Sequence, residues 1–352
     1  MTPEQIIQAI EGLEPAMQQA YLTQVESVVG AVNVAEVERL ITEEDEDGLV
    51  ALLSLGALSV FLELARSAFL AGAKFEIKAI VIPRDIGRFE FDAREPVAER
   101  WISAKAEEIR ANSEIDVRAA IREVVASRRR VYPVNGTPSQ AGVSVEVGAT
   151  PMVRTPRQAA LDLIGRKSAQ TGARSGGVVG LPGNYAQFVI NAREQLLGGN
   201  PDEMRKYLQR IRRDRRFDGI VNRAIKAGKP VAKADVDKIA GRYAERLMKT
   251  YAEMLAKAEA LESFGAGRDQ LYEQLIAQGL DRDSVTKTWR DRGDKKVRHT
   301  HASMGGQEVQ KDQPFQSPTG ALLRYPGDTS LGAGWSERAG CRCSAIYRIR
   351  RK

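Results

Sequence analysis

The sequence predicts a protein that is mainly α-helical in its N-terminal and central regions and ends in a small α+β module. Apolar residues recur every three or four positions over most of the first 280 or so residues, as they do along one face of a helix. Aromatic residues make up only 6% of the 352-residue chain, which suits helices packed through Leu, Ile, Val and Ala. From about residue 284, short apolar pieces alternate with Gly and Pro, which is typical of strands and turns.

The first 130 residues are expected to be largely helical. Their most apolar stretch, residues 49–62, is shorter than the ~20 residues that a membrane helix needs, so we expect a buried or oligomer-forming helix there. Residues 75–91 suggest a short extended stretch followed by a loop. Helical spacing predicts helices over residues 1–30, 34–42, 49–71 and 96–130.

The middle of the chain contains two Gly- and Pro-rich stretches. Residues 131–156 hold four Pro and three Gly with little periodicity, and they are predicted to be a linker or exposed loop. A short helix is expected over 157–166. Residues 171–183 form a glycine-rich loop that is either a phosphate cradle or a tight backbone crossing between helices. The loop lacks the Gly-Lys-Ser/Thr ending of a nucleotide site, which favours the crossing.

The region after residue 200 has clear helix signals. Asn200 can cap a helix, Pro201 suits its first position and Glu203 would complete a capping box, so we expect a helix that continues to Arg216. The pattern then predicts a long amphipathic helix over 236–261, a shorter helix over 268–279, and a strand from residue 284.

Charge is distributed unevenly along the chain. The net charge is +7, yet residues 1–50 carry eleven Asp or Glu and one Arg. An acidic head on a basic body suggests different partners at the two ends. The basic part is either a surface that binds nucleic acid or a solvated Arg-rich surface, and charge alone does not separate the two. Two cysteines and a polar, acidic start without signal-peptide character predict synthesis in a reducing cytoplasm.

We expect four consecutive segments: an acidic helical region at 1–75, a helical region with a terminal linker at 76–156, a basic helical domain at 157–283, and a C-terminal module at 284–352.

Both histidines and both cysteines of the chain lie in this last module, as His299 and His301, and Cys341 and Cys343. On strands, residues two apart point to the same face, so each pair would offer two ligands to one tetrahedral ion. Such an N₂S₂ set suits zinc in a structural role. The alternative is two reduced, buried thiols and a surface residue at His299. A metal-dependent nuclease site built from His299, His301 and Asp294 is less favoured, because cysteine ligands are unusual in such sites. We therefore do not expect an enzyme.

A wider pattern surrounds these residues. It resembles the C-terminal module of phage head morphogenesis proteins, the minor head proteins similar to phage Mu protein F. The resemblance is specific over residues 284–345, looser over 157–283 and only general over 1–150. The residues that carry it include Trp289, Asp294, Arg298, His301, Gly306, Pro326, Gly327, Cys341, Arg342 and Cys343.

This chain departs from the family pattern at several positions. Lys296 stands in place of an arginine, Gly305 in place of an aspartate and Gly340 in place of an asparagine. His299 stands where the family varies. The resemblance therefore supports His301, Cys341 and Cys343 as ligands, in a three-ligand site or none.

The resemblance implies a virion protein of the capsid interior or portal vertex, made in the host cytoplasm and present in several copies. Its expected partners are the portal protein, other capsid proteins and phage DNA, with no membrane, and its role is head assembly and DNA packaging or ejection. The alternative is a metal-dependent nuclease or a nucleic-acid-binding module. The residues expected to face DNA are Arg210, Arg212, Arg213, Arg215, Arg216, Arg350 and Arg351.

Overall fold

The computed structural model describes residues 2–56, 58–128 and 154–350. The predicted fold class is confirmed: helices dominate, and a small sheet lies near the C-terminus. The chain divides into two compact units. The first unit comprises Met1–Tyr21, Leu58–Glu108 and Ala252–Lys352, and the second comprises Leu22–Ala57 and Ile109–Tyr251. Each unit thus combines stretches that are distant in sequence, whereas the division into four consecutive segments remains a prediction.

The elements up to residue 128 are helical. No helix among the described residues is long and apolar enough to cross a membrane. The helices are α1 (Pro3–Glu11), α2 (Glu14–Ala31), α3 (Val34–Thr42), α4 (Glu46–Leu53), α5 (Ser59–Ile77), a 3₁₀ turn (Arg84–Ile86) and α6 (Pro96–Arg128).

The elements after residue 153 begin with helices and end with strands. They are α7 (Pro156–Ile164), β1 (Arg166–Lys167), β2 (Arg174–Ser175), α8 (Gly183–Leu197), α9 (Pro201–Leu208), α10 (Asp218–Ala227), α11 (Lys233–Ala277), β3 (Val285–Arg290), α12 (His299–Ala302), β4 (Glu308–Gln310), β5 (Phe315–Gln316), β6 (Leu322–Leu323), α13 (Trp335–Arg338) and β7 (Ser344–Ile349), with 3₁₀ turns at Arg215–Phe217 and Arg282–Ser284.

Three predictions for the first part of the chain are wrong. Residues 1–30 form two helices, because α1 ends at Glu11 with Gly12 as its C-cap and α2 begins at Glu14. The apolar stretch is likewise split between α4 and α5. Helix α5 starts after Leu58, whose backbone is in the left-handed conformation (φ 44°). The expected extended stretch at 75–91 has no strand among its described residues, since α5 runs on to Ile77. Contacts outside α5 favour this extension, because buried Glu76 accepts a hydrogen bond from Arg268 Nε at 2.6 Å.

Two predictions for the central region also need correction. Asn200 caps α9 as expected, but the helix ends at Leu208 and the chain turns before residue 216. Asp214 directs this turn, since its carboxylate accepts a hydrogen bond from the backbone N–H of Arg216. The helices expected at 236–261 and 268–279 are one helix of 45 residues, α11. The predicted linker at 131–156 lies almost wholly outside the described residues.

The glycine-rich loop is a tight backbone crossing in the second unit. A Cβ on Gly176, which has φ 76°, would lie 2.5 Å from the Cα of Gly241 in α11. Gly177 packs equally closely against the backbone of residues 163–165. These glycines therefore serve close packing, as the second of the two predictions for this loop states.

In the first unit, α5 crosses α11 at very short range. A Cβ on Gly267 would lie 1.8 Å from the carbonyl oxygen of Phe69, and one on Gly72 would lie 2.1 Å from that of Phe264. Beside the crossing, the ring of Phe69 stacks on Trp101 with centroids 4.9 Å apart. Glycine is required on both helices because any side chain would separate them.

The sheet of the C-terminal module has the order β4-β3-β7, with all pairs antiparallel. It contacts α11 through buried polar groups. The hydroxyl of Tyr347 in β7 donates to Asp269 at 2.9 Å, and Lys311 Nζ donates to the same carboxylate at 3.1 Å. Tyr347 also stacks on Tyr272 of α11, with ring centroids 4.5 Å apart. Specific pairing and ring stacking thus fix the module on this helix.

A buried ionic network joins α6, α11 and α13 in the first unit. Lys105 Nζ lies 2.6 Å from Glu262, 3.2 Å from Glu259 and 2.9 Å from Glu108. Arg338 contacts the same three carboxylates. Burial raises the pKa of Glu262 to about 7. At Glu259 burial acts in the same direction, but the charges of Lys105 and Arg338 outweigh it and hold the pKa below its ordinary value.

We expect Arg338→Met to lower the free energy of unfolding by about 3–5 kcal/mol, because it leaves two buried carboxylates and the half-buried Glu108 with one cation. Denaturant titration measures the loss. Arg348→Met is the matched control, since Arg348 is exposed on β7, and it should leave stability unchanged. If Arg338→Met and Arg348→Met were equally stable, the charge of Arg338 would not be needed to balance these carboxylates.

Lys287 in the central strand β3 is fully buried. Its Nζ donates to the carbonyl of Arg324 at 2.8 Å. Burial lowers its pKa to about 8, and the nearby charge of Lys311 adds to this effect while Asp269 opposes it. Because the pKa is about 10.4 in the unfolded chain, the unfolded state binds more protons between the two values. Stability contributed by this group therefore rises with pH across that window.

We expect Lys287→Met to be more stable than the wild type at neutral pH by an amount that shrinks as pH rises. The shrinkage should be about 2–3 kcal/mol between about pH 7, where Lys287 is mostly protonated in both states, and about pH 10, where the folded state alone has lost the proton. Urea denaturation of both proteins across this range measures it. A difference that stays constant with pH would show that the pKa of Lys287 is not lowered in the folded protein.

Candidate metal centre

Hydrogen bonds from two arginines, Arg298 and Arg342, bring the parts of this centre together. Arg298, which precedes α12, donates from its guanidinium to the carbonyls of Ser336 and Ala339, so α12 is tied to α13. Arg342 binds Asp294 through two hydrogen bonds of 2.7 and 2.5 Å. These contacts hold the start of α12 against the chain that leads into β7.

At the centre, His301 faces both cysteines. Its Nδ1 lies 3.4 Å from Sγ of Cys341 and 3.6 Å from Sγ of Cys343. All three side chains are buried, and their ligand atoms lie within 4.8 Å of one another. One imidazole nitrogen and two thiols therefore converge on a single small volume.

The other face of the imidazole is held in place. His301 Nε2 lies 2.8 Å from Oε2 of Glu337, whose second oxygen accepts a hydrogen bond from Thr319 at 2.8 Å. Trp289 packs edge-on against the ring, with centroids 5.3 Å apart. With Nε2–H donated to a carboxylate, the neutral imidazole presents the Nδ1 lone pair to the cysteines. Histidines that bind metals are oriented in the same way.

These distances fit a tetrahedral metal ion. Zinc binds nitrogen at about 2.0–2.1 Å and thiolate sulfur at about 2.3 Å, so the N–S edge of a tetrahedron is roughly 3.6 Å. The two observed separations of 3.4 and 3.6 Å match this edge. His301, Cys341 and Cys343 could thus hold a metal ion with little rearrangement.

The pKa values follow from the contacts within the group. The hydrogen bond from Cys343 holds the pKa of Cys341 well below its usual range, against the effect of burial, and His301 lowers it further. That same hydrogen bond raises the pKa of Cys343, as do burial, the charge of Cys341 and the charge of Asp291. Burial lowers the pKa of His301, but Cys341 and Glu337 outweigh it and the net shift is upward. One thiolate is therefore already favoured next to the imidazole.

The prediction that each pair lies on a strand is wrong. Residues 299–302 form helix α12, where side chains two apart point in directions ~200° apart, so His301 is buried and His299 is exposed. Cys341 and Cys343 lie in the loop before β7. His299 is outside the group, and Asp294 is bound by Arg342, so these two and His301 do not form one ligand set.

Other residues of the pattern have packing roles. Gly306 adopts a left-handed φ of 86° in the turn between α12 and β4. Gly327 has φ 91°, and a Cβ there would meet Leu261 at 3.2 Å, so this turn packs on α11. Pro326 is buried beside it. Phe315 contacts Trp289, with ring centroids 5.2 Å apart.

Most arginines expected to face DNA have partners within the protein. Arg210 binds Gln195, Arg213 binds Asp218 and Arg216 binds Asp214. Arg350 pairs with Glu308, and Arg351 lies outside the described residues. Arg212 and Arg215 are exposed, and within the described part of the chain neither has a carboxylate partner.

Sequence reasoning did not single out Glu337 or Thr319. No spacing rule relates either residue to His301, because only the folding of α12, α13 and the β5–β6 loop brings them together. Comparison of the chain with protein-family models, with curated proteins and with solved structures gave no match.

Proposed function

We propose that this chain is a minor head protein of a bacteriophage, a structural component at or near the portal vertex whose C-terminal module is held together by zinc. The proposal has two parts, the ion and the role in the virion, and each has its own support and test.

Zinc is proposed because of the donor set and its geometry. Two cysteines and one histidine are ligands typical of this ion, and the N–S separations of 3.4 and 3.6 Å suit its tetrahedral coordination. Glu337 would orient His301 from the opposite side of the ring, as carboxylates do in zinc proteins. When bound, the ion would cross-link α12 to the chain entering β7 and so stabilise a module with a small core.

The role in phage heads is supported by how the residues of the family resemblance are used. Asp294 and Arg342 form a bidentate pair, Arg298 holds α13, and Trp289 packs on His301. Residues separated by about 50 positions in sequence thus contribute to one centre. A motif shared for such a structural reason supports a common module, and with it the assembly role that the resemblance implies.

Quantitative mass spectrometry of purified phage heads tests this role by counting the chain against the portal protein. A few copies per particle are expected for a minor head protein. Absence of the chain from particles would overturn the proposal.

A contact with phage DNA is part of this proposal. The surface proposed for this contact is the one around Arg212 and Arg215. Replacing both by Glu should weaken DNA binding and reduce the slope of log affinity against log salt, by about 0.9 for each phosphate that the protein no longer neutralises. Arg84→Glu with Arg88→Glu is a charge-matched control, since both are exposed in the first unit. Equal binding by both double variants would remove this surface from the proposal.

A nuclease in the C-terminal module is the alternative. It predicts that His301→Ala abolishes cleavage of DNA under conditions in which the variant is still folded. A wild-type protein that binds zinc and leaves DNA intact across added Mg²⁺, Mn²⁺ and Zn²⁺ would exclude that alternative.

A further inference from the structure

The antiparallel pairing of β3 with β7, continued past its last pair, places Asp291 opposite Cys343. Its last pair is Arg290 with Ser344. Continuing the register by one residue sets Asp291 opposite Cys343. Residues opposite one another in an antiparallel ladder have side chains on the same face, with Cβ atoms about 4.5–5.5 Å apart. Asp291 therefore belongs on the face of Cys343, which is also the face of Trp289 two residues earlier.

The contacts of Asp291 agree with this placement. Its Oδ1 accepts a hydrogen bond from the backbone N–H of Gly293 at 2.6 Å. Its Oδ2 lies beside Gly305, where a Cβ would be only 2.6 Å away. Among the described residues, Oδ2 has no hydrogen-bond donor. One oxygen thus accepts a hydrogen bond in the turn, and the other faces Gly305 without a donor among the described residues.

We propose that Asp291 is the fourth ligand of the ion bound by His301, Cys341 and Cys343. This inference rests on the proposed zinc site. As placed, Asp291 lies outside the three ligand atoms that are within 4.8 Å of one another. Ligation would require the carboxylate to turn from the side of Gly305 toward Cys343 and to give up its hydrogen bond with Gly293. Four protein ligands then close the tetrahedron, as in zinc sites that serve structure.

The space beside Gly305 allows a test in which the proposed fourth ligand is moved to another position of the backbone. Gly305 has an ordinary backbone conformation, and the closest atom to a Cβ there is the Asp291 oxygen, followed by the carbonyl oxygen of Ala302 at 3.0 Å. Removing the Asp291 side chain therefore makes room for a carboxylate at position 305. The double variant Asp291→Ala, Gly305→Asp moves the fourth ligand to the neighbouring backbone without changing the net charge.

The experiment uses the full chain, stripped with a chelator and titrated with Zn²⁺ and with Co²⁺ as a spectroscopic probe. Asp291→Ala and Asp291→Asn should each weaken zinc binding about 10- to 100-fold and change the Co²⁺ visible spectrum. Asn keeps the hydrogen bond to Gly293 and so separates ligation from folding. Asp283→Ala, which removes an exposed carboxylate from the same unit, should bind like the wild type. The double variant should recover most of the lost affinity and the tetrahedral spectrum.

The outcomes separate this inference from the zinc site itself. If the wild type binds zinc and His301→Ala abolishes binding, but both Asp291 variants keep wild-type affinity and spectrum, the fourth ligand is not Asp291. If the wild type and His301→Ala are alike in zinc binding, the zinc site fails and the inference falls with it. Weak binding by the Asp291 variants together with recovery in the double variant establishes the proposal.

Discussion

We expect His301→Ala to lower the free energy of unfolding in the presence of zinc by about 4 kcal/mol, and chelation of the wild type to have a similar effect. A ligand that binds only the folded state stabilises it by about this amount when its free concentration is 1,000 times Kd. The loss should be large because the ion would join α12 to the loop before β7. Those segments are 40 residues apart in sequence at His301 and Cys341.

Denaturant titration measures this effect in four samples, namely the wild type and His301→Ala, each with buffered zinc and with chelator. The chelator should destabilise the wild type and have little further effect on His301→Ala. His299→Ala is the matched control, because His299 lies in the same short helix but is exposed. It should respond to chelator like the wild type. Equal losses from His301→Ala with and without zinc would mean that the residue contributes only packing.

We expect Gly267→Ala to be the most damaging of the single-methyl additions on α11. The new Cβ would lie 1.8 Å from the carbonyl oxygen of Phe69, and this neighbour is backbone that cannot move alone. The helices must separate, which should cost about 3 kcal/mol or more, at the upper end of the cost of overpacking. Thermal and urea denaturation would report a lower midpoint.

Gly241→Ala on the same helix is the control. Its Cβ would meet the Cα of Gly176 at 3.5 Å, an ordinary contact. Because Ala favours a helix over Gly, this variant should be neutral or stabilised by up to about 1 kcal/mol. Destabilisation of equal size at both positions would show that helix strain, and not the crossing of α5 with α11, determines the response at Gly267.

The sequence predicted several elements well, for reasons that are local. α3 was placed at its observed ends, and α6 and α7 to within a few residues, because capping residues and apolar spacing act within a few positions. The prediction of two separate helices in place of α11 was wrong because contacts with residues distant in sequence decide the outcome there. Gly265 and Gly267 suggest a weak point in an isolated helix, but here they allow Tyr325 and the backbone of α5 to approach.

The metal centre likewise has one feature that the sequence predicted and one that it did not. The rare residue types in the last seventy positions, and their match to a shared pattern, were enough to indicate His301, Cys341 and Cys343 as one unit. The geometry inferred from strand spacing was wrong, since α12 is a single helical turn held by Arg298.

Residue type and local spacing thus determined the helical class and the C-terminal change of character, and the family resemblance indicated the three converging side chains. Only the tertiary structure decided that His301 is buried while His299 is exposed, and that Glu337 lies against Nε2 of His301. It also decided that Arg213 and Arg216 pair with Asp218 and Asp214, whereas Arg212 and Arg215 have no carboxylate partner within the described part of the chain. These outcomes depend on contacts between segments far apart in sequence, and local patterns do not encode such contacts.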